Sequence, residues 1–291
     1  MTQLHQPSLC KDTVAYDQLT TIHDSTVQHG KYNDRVYLMK LGEKAPHRVL
    51  DQLEQLAEQN AYSKIFVKSR ESELELFQKR DYEIEAEVPQ MYRGEEKIYF
   101  AGKYLDERRK EQEEEEKIRE VLGIAREKAD SKGGTPVTEN FVVRELTLED
   151  TLAMADIYRL VFETYPFPIY EADYLKEVLQ DHVRSFGVFE GEKLVALAAC
   201  EMDRENLNVE MTDFATLPEY RGHKLAYLLL HQMEEKMRQS GIKVAYTIAR
   251  SLSPGMNITF SRHQYKFAGT LKNNTNISGQ IESMNVWHKL L

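Results

Sequence analysis

Residues 209–237 read VEMTDFATLPEYRGHKLAYLLLHQMEEKM, and this stretch decides the fold. A run of β-formers stops at Leu217-Pro218-Glu219-Tyr220-Arg221-Gly222. Beyond it Leu225, Leu228, Leu229, Met233 and Met237 recur at spacings of three and four, the mark of a helix with one apolar face. A helix that starts just after a strand and a glycine-containing turn aims its unpaired N–H groups and positive dipole end at whatever occupies the turn. Such a place suits an anion, most often a phosphate.

The spacing Pro218-x-x-Arg221-Gly222-x-x-Leu225-Ala226 resembles motif A of the GNAT acetyltransferases, although an ordinary βα unit with an arginine in its turn shares those six residues. The resemblance implies acetyl-CoA as co-substrate. Its pyrophosphate would lie on Arg221, Gly222, His223, Lys224, Leu225 and Ala226, and its pantetheine along the backbone of Phe214, Ala215, Thr216 and Leu217. That backbone would also supply the donor to the thioester oxygen. Lys224 stands where the family usually has its middle glycine. It either alters the backbone approach to phosphate or adds a charge-assisted contact to it.

The 291 residues suffice for two ordinary domains, and 41% hydrophobic content with 16 Tyr and 11 Phe is enough for real cores. A net charge of −10 without a basic cluster argues against nucleic acid and suits a cationic small substrate better. Cys10 and Cys200 form no CxxC pair, and His5, His23 and His29 are scattered, so neither a disulfide framework nor a metal site is expected. No stretch resembles a leader or a membrane span, which places the chain in the cytoplasm as an expectation.

In order, residues 1–30 read as polar and mixed, with no element assigned. DRVYLMKL, SKIFVKS, YEIEAEV and KIYFAGKYL read as strands, with helices over HRVLDQLEQLAEQN and near 71–80. The charged segment 106–129 reads as a solvated linker helix, and Asp130-Ser131-Lys132-Gly133-Gly134-Thr135-Pro136 as a domain boundary. From Phe141 follow a strand, two helices around the aromatic loop 165–170, a hairpin turning at Glu190-Gly191, the central strand and helix, KVAYTIAR, a short helix near Asn257, KFAGTL, a polar loop NNTNISGQ and a last strand.

This order is that of a GNAT domain. The expected class is α/β (α+β), with a catalytic GNAT fold over 140–291 and a degenerate GNAT-like domain over 1–130. The latter rests on a weak repeat: KRDYEIEAEV parallels HQYKFAGTL, and SKIFVKS parallels KVAYTIA. Having no Arg-x-x-Gly loop, the first half is expected to bind no CoA.

An ammonium with pKa near ~10.4 cannot attack a thioester, so a base must take its proton. Glu210, eight residues before Pro218, resembles the catalytic glutamate of histone-acetylating GNATs, with Glu201 as another choice. Asp213 faces the other side of a regular strand and joins Glu210 only across a bulge. Asn257 matches the pantetheine-contacting asparagine or serves as a helix cap. Where the family often has a proton-donating tyrosine this chain has Phe260, so the thiolate leaves unprotonated or through water, or another tyrosine such as Tyr246 serves.

The final third, YTIARSLSPGMNITF and GTLKNNTNISGQIESMNVWHKLL, is similar to the β-lysine Nε-acetyltransferases. It implies transfer to the terminal amine of β-lysine (3,6-diaminohexanoate), giving a compatible solute. A zwitterion with an extra ammonium needs cations or amides for its carboxylate, from Arg250, Asn273, Asn274, Asn276 and Ser278, and acceptors for its free amine, from Glu282 or Asp213. Tyr165 opens the aromatic loop that would wall the acceptor pocket. Two competing readings are acetylation of another amine (a polyamine, lysine or a protein lysine) and a silent CoA-binding module. The oligomeric state is left open, a homodimer being one arrangement.

Overall fold

The computed structural model describes residues 16–130 and 140–291. His5, Cys10 and the boundary cluster from Ser131 to Pro136 lie outside the described residues.

The first half runs β1 (Gln18–Ile22), β2 (Ser25–Gly30), β3 (Arg35–Lys40), α1 (Pro46–Gln59), β4 (Lys64–Arg70), α2 (Leu74–Gln78), β5 (Glu83–Tyr92), β6 (Glu96–Tyr104) and α3 (Glu115–Glu127). The second runs β7 (Phe141–Glu145), α4 (Thr151–Val161), α5 (Ala172–Asp181), β8 (Val183–Glu190), β9 (Lys193–Asp203), β10 (Asn208–Thr216), α6 (Leu225–Gln239), β11 (Val244–Arg250), α7 (Pro254–Arg262), β12 (Lys266–Ile277) and β13 (Gln280–Leu290). Among the described residues, thirteen strands form one sheet in the order β1-β2-β3-β4-β6-β5-β12-β13-β11-β10-β9-β8-β7.

That order reads nearly the same from both ends. Each half has one parallel pair, β3–β4 and β10–β11, joined over a crossover helix, α1 or α6. Each crossover helix begins at a left-handed cap, Ala45 (φ 50°) or Lys224 (φ 61°). The halves meet where β5 pairs with β12 at Ala86 and Gly269. Gly269 has φ 149°, and a Cβ there would lie 2.1 Å from the Glu85 carbonyl oxygen, so only glycine permits the approach.

Strand alternation explains which side chains become core. On β3 and β4, Val36, Leu38, Ile65 and Val67 pack with Val49, Leu50, Leu53 and Ala57 of α1. The opposite face of the same strands, with Tyr37 and Phe66, joins the larger core of the second half. The seam is therefore an interior rather than a loose contact.

Three readings of the sequence need revision. Residues 18–30, polar and mixed in sequence and given no element, form β1 and β2, with Thr, Val and Ile as their β-formers among polar residues. The segment 106–129 is no solvated linker: Ile118, Val121 and Ala125 are buried, and the Ser261 hydroxyl donates to the Ala125 carbonyl at 2.7 Å, seating α3 on α7. The polar run NNTNISGQ is no loop either. Through Ile277 it belongs to β12, and its amides staple the halves together. Asn273 Nδ2 donates to the carbonyls of Arg109 (2.9 Å) and Glu111 (2.7 Å), and Asn276 Nδ2 to that of Tyr32 (2.9 Å).

Candidate active site

β10 and β11 pair only over Asn208–Glu210 and Val244–Tyr246, then diverge. Past that point β10 shifts register between Thr212 and Ala215, with Asp213 at φ 56°. A bulge of this kind turns a residue to the face that alternation would deny it. Glu210, Asp213 and Phe214 accordingly line one cavity of about 370 Å³, together with Glu201 from β9 and Tyr246 from β11.

The three carboxylates are half-buried and stand together in the cavity wall. Desolvation pushes the Glu210 carboxyl up to about 7, against support from the Tyr246 hydroxyl, the Lys68 ammonium and the Ile248 amide. Burial and the two neighbouring carboxylates raise Glu201 well above its ordinary range, and burial raises Asp213, which accepts from the Tyr165 hydroxyl. Glu210 is therefore poised near neutrality, and the group of carboxylates suits an ammonium.

At the open end of the splay, Pro218 starts a short turn and residues 221–224 are exposed. Gly222 has φ 90° with open space where a Cβ would be, and Lys224 has φ 61°, in the left-handed region that favours glycine. The N-terminus of α6 opens onto this space, so the loop can receive a pyrophosphate and the splay a pantetheine. The first half has the corresponding splay, since β3 and β4 pair only from Arg35 to Leu38. There the anion position is filled from within: the Asp24 carboxylate accepts from the amides of Glu43 (3.0 Å) and Lys44 (3.2 Å).

The structure brings Tyr165, Arg250 and Asn274 to the cavity with Glu210 and Asp213, but not Asn273, Asn276, Glu282 or Asn257. Arg250 and Glu282, expected to grip opposite charges of the substrate, pair with each other at 2.7 and 3.0 Å. Asn257 is not the helix cap. Ser253 occupies the N-cap position of α7, while Asn257, fully buried one turn in, donates to the carbonyls of Arg250 and Ser253 and accepts from Asn285 and Trp287. Phe260 packs edge-on against Phe214 at 5.6 Å.

Sequence reasoning missed the cavity's other wall. Arg35, Tyr37 and Met39 of β3 and Phe66 and Lys68 of β4 line it from the first half. The available signal was the charge at Arg35 and Lys68 inside otherwise apolar strands.

Residues 152–253 match the family model described as "Acetyltransferase (GNAT) family". The chain is 38% identical over 274 residues to a beta-lysine N(6)-acetyltransferase from Methanococcus maripaludis, covering 94% of this chain and 99% of that one. It belongs to this family of GNAT acetyltransferases. A beta-lysine N(6)-acetyltransferase from Methanosarcina mazei is 36% identical over 53% of this chain and 56% of its own length, and N-acetyltransferase YodP from Bacillus subtilis is 29% identical over 92% and 96%. As a GNAT enzyme the chain is an acetyl-CoA-dependent N-acetyltransferase. Among the described residues no helix is long and apolar enough to cross a membrane.

Proposed function

We propose that the chain transfers acetyl from acetyl-CoA to the terminal amine of β-lysine, with Glu210 as the base. The observation that carries this reading is the carboxylate group of Glu201, Glu210 and Asp213 in the cavity where β10 and β11 part. An incoming ammonium is held there by charge. Glu210, poised near 7, takes its proton and frees the lone pair for attack. An N–H along the bulged segment 214–217 steadies the thioester oxygen, and Arg221 with the first amides of α6 holds the pyrophosphate.

Acetylation removes one of the acceptor's two positive charges. β-Lysine, with two ammonium groups and one carboxylate, becomes a zwitterion of zero net charge, the kind of molecule a cell accumulates as a compatible solute.

The test is CoA thiol release from acetyl-CoA with β-lysine, α-lysine and spermidine as parallel acceptors, and mass spectrometry of the product. Turnover on β-lysine with acetyl on the terminal amine is expected. Preferential turnover of spermidine overturns the acceptor, and acetyl-CoA binding without any thiol release overturns the activity.

A further inference from the structure

An acceptor that carries a carboxylate needs a cation for it, and among the described residues the second half brings no unpaired arginine or lysine to the cavity wall. Its one arginine in the cavity wall, Arg250, is neutralised by Glu282 at 2.7 Å. The first half brings two to the wall: Lys68, whose charge acts on Glu201 and Glu210, and Arg35, which stands apart from them in the hydrogen bonds it makes. Arg35 is only 5% exposed, lines the cavity, and faces no carboxylate at ion-pair distance among the described residues. One of its Nη atoms donates to the Asn274 carbonyl, and its Nε has no hydrogen-bond partner.

Two further unsatisfied atoms belong to the same wall. Gln28 Nε2 and Asn274 Oδ1 lack partners, although their side chains are 1% and 2% exposed. A buried polar group left unpaired costs on the order of 1–3 kcal/mol, so three in one cavity call for an explanation. Their chemistry divides cleanly. Arg35 Nε and Gln28 Nε2 are donors, as a carboxylate requires, and Asn274 Oδ1 is an acceptor, as an ammonium requires. Register places the donors together: Gln28 pairs with Tyr37 and Gly30 with Arg35 across β2 and β3, so Gln28, Tyr37 and Arg35 share one face.

We infer that Arg35 and Gln28 bind the acceptor's carboxylate, with Asn274 Oδ1 receiving the ammonium beside it, so that the first half of the chain is the acceptor-recognition module. The far end of the acceptor then lies among Glu201, Glu210 and Asp213, where its terminal amine reacts. Retention of the first half follows even though Asp24 closes its own anion position. It serves as a wall that reads the head group. This inference rests on the amino-acid acceptor proposed above.

The test compares kcat/KM for β-lysine and for 1,4-diaminopentane, which is the same molecule without its carboxylate. The wild-type enzyme should prefer β-lysine. In Arg35→Met that preference should collapse by roughly 10²-fold or more, mainly through KM for β-lysine, because truncating one partner of a buried charge pair is costly. Arg35 also supports Asn274, so Gln28→Met provides a second variant. It removes one donor without changing side-chain length and should reduce the same ratio by about tenfold.

Equal losses on both acceptors would make Arg35 and Gln28 structural and overturn the inference. The pair α-lysine and 1,5-diaminopentane, run in parallel, separates this from a wrong acceptor. If β-lysine is not turned over but α-lysine is, the proposed acceptor fails while the ratio still reads Arg35. A wild-type enzyme indifferent to the carboxylate in both pairs overturns the inference outright.

Discussion

Glu210 and Asp213 stand three residues apart on β10 and line the same cavity, because the strand shifts register between Thr212 and Ala215. In a regular strand they would point to opposite faces. The bulge therefore assembles the carboxylate group, and the properties of that group can be measured.

With burial holding the Glu210 carboxyl at about 7, the base is mostly protonated and idle below that pH. kcat/KM should rise about tenfold per unit between pH 5.5 and 7 and level off above. The apparent value belongs to the whole carboxylate group, since its members' charges act on one another. Glu210→Gln should lower kcat by roughly 10²–10⁴-fold and abolish this limb of a pH–rate profile. A variant that loses only KM would show that Glu210 binds the ammonium without taking its proton.

Glu201 carries a stability cost in the same currency. Its folded-state value lies well above its unfolded one, so between the two the folded state binds more protons. Stability then falls as pH rises from about 4.5 through the folded value. Glu201→Gln should accordingly raise Tm at pH 8, by about 2–4 °C per kcal/mol recovered, and change it little at pH 5. Calorimetry at the two pH values decides it. A variant less stable at pH 8 would mean that the ionised carboxylate is favourably paired.

Lys224 holds φ 61° at the cap of α6, a conformation that costs a non-glycine residue about 1–2 kcal/mol. Lys224→Gly recovers this and gives back about 0.4–1 kcal/mol through the freer unfolded chain. A net gain of about 0.5–1 kcal/mol is expected in denaturant melts. KM for acetyl-CoA should move less than threefold if the loop binds through its backbone. A rise of tenfold would assign a phosphate contact to the lysine ammonium.

The fold was largely legible because periodicity is local. The strand, Pro218, Arg221-Gly222 and the leucine spacing of α6 sit next to one another in the chain. The carboxylate group was half legible: Glu210 and Asp213 could be named, but their convergence depends on a bulge that no spacing announces. The acceptor side was misread for a physical reason. Arg250 and Glu282, or Asn273 and the Arg109 carbonyl, meet only across strands or across the seam, and a side chain's partner decides whether it is available to a ligand. Arg35 and Lys68 belong to strands whose own half holds no catalytic motif, so nothing nearby in sequence drew them to the site.

Asn273 offers a clear separation of the two roles. As a seam staple it donates to two carbonyls of the segment leading into α3 and accepts from the Ser283 hydroxyl at 3.4 Å. Asn273→Ala removes those bonds and leaves the Arg109 and Glu111 carbonyls to find water. With net hydrogen-bond contributions of about 0.5–1.5 kcal/mol each, a loss of about 1–3 kcal/mol is expected in denaturant melts. KM for the acceptor should stay within twofold, because the side chain does not line the cavity. A large rise in acceptor KM with unchanged stability would return Asn273 to the substrate site. It would also mean that β12 presents its amides differently once the acceptor is bound, since in the present arrangement both Nδ2 protons are already spent on the seam.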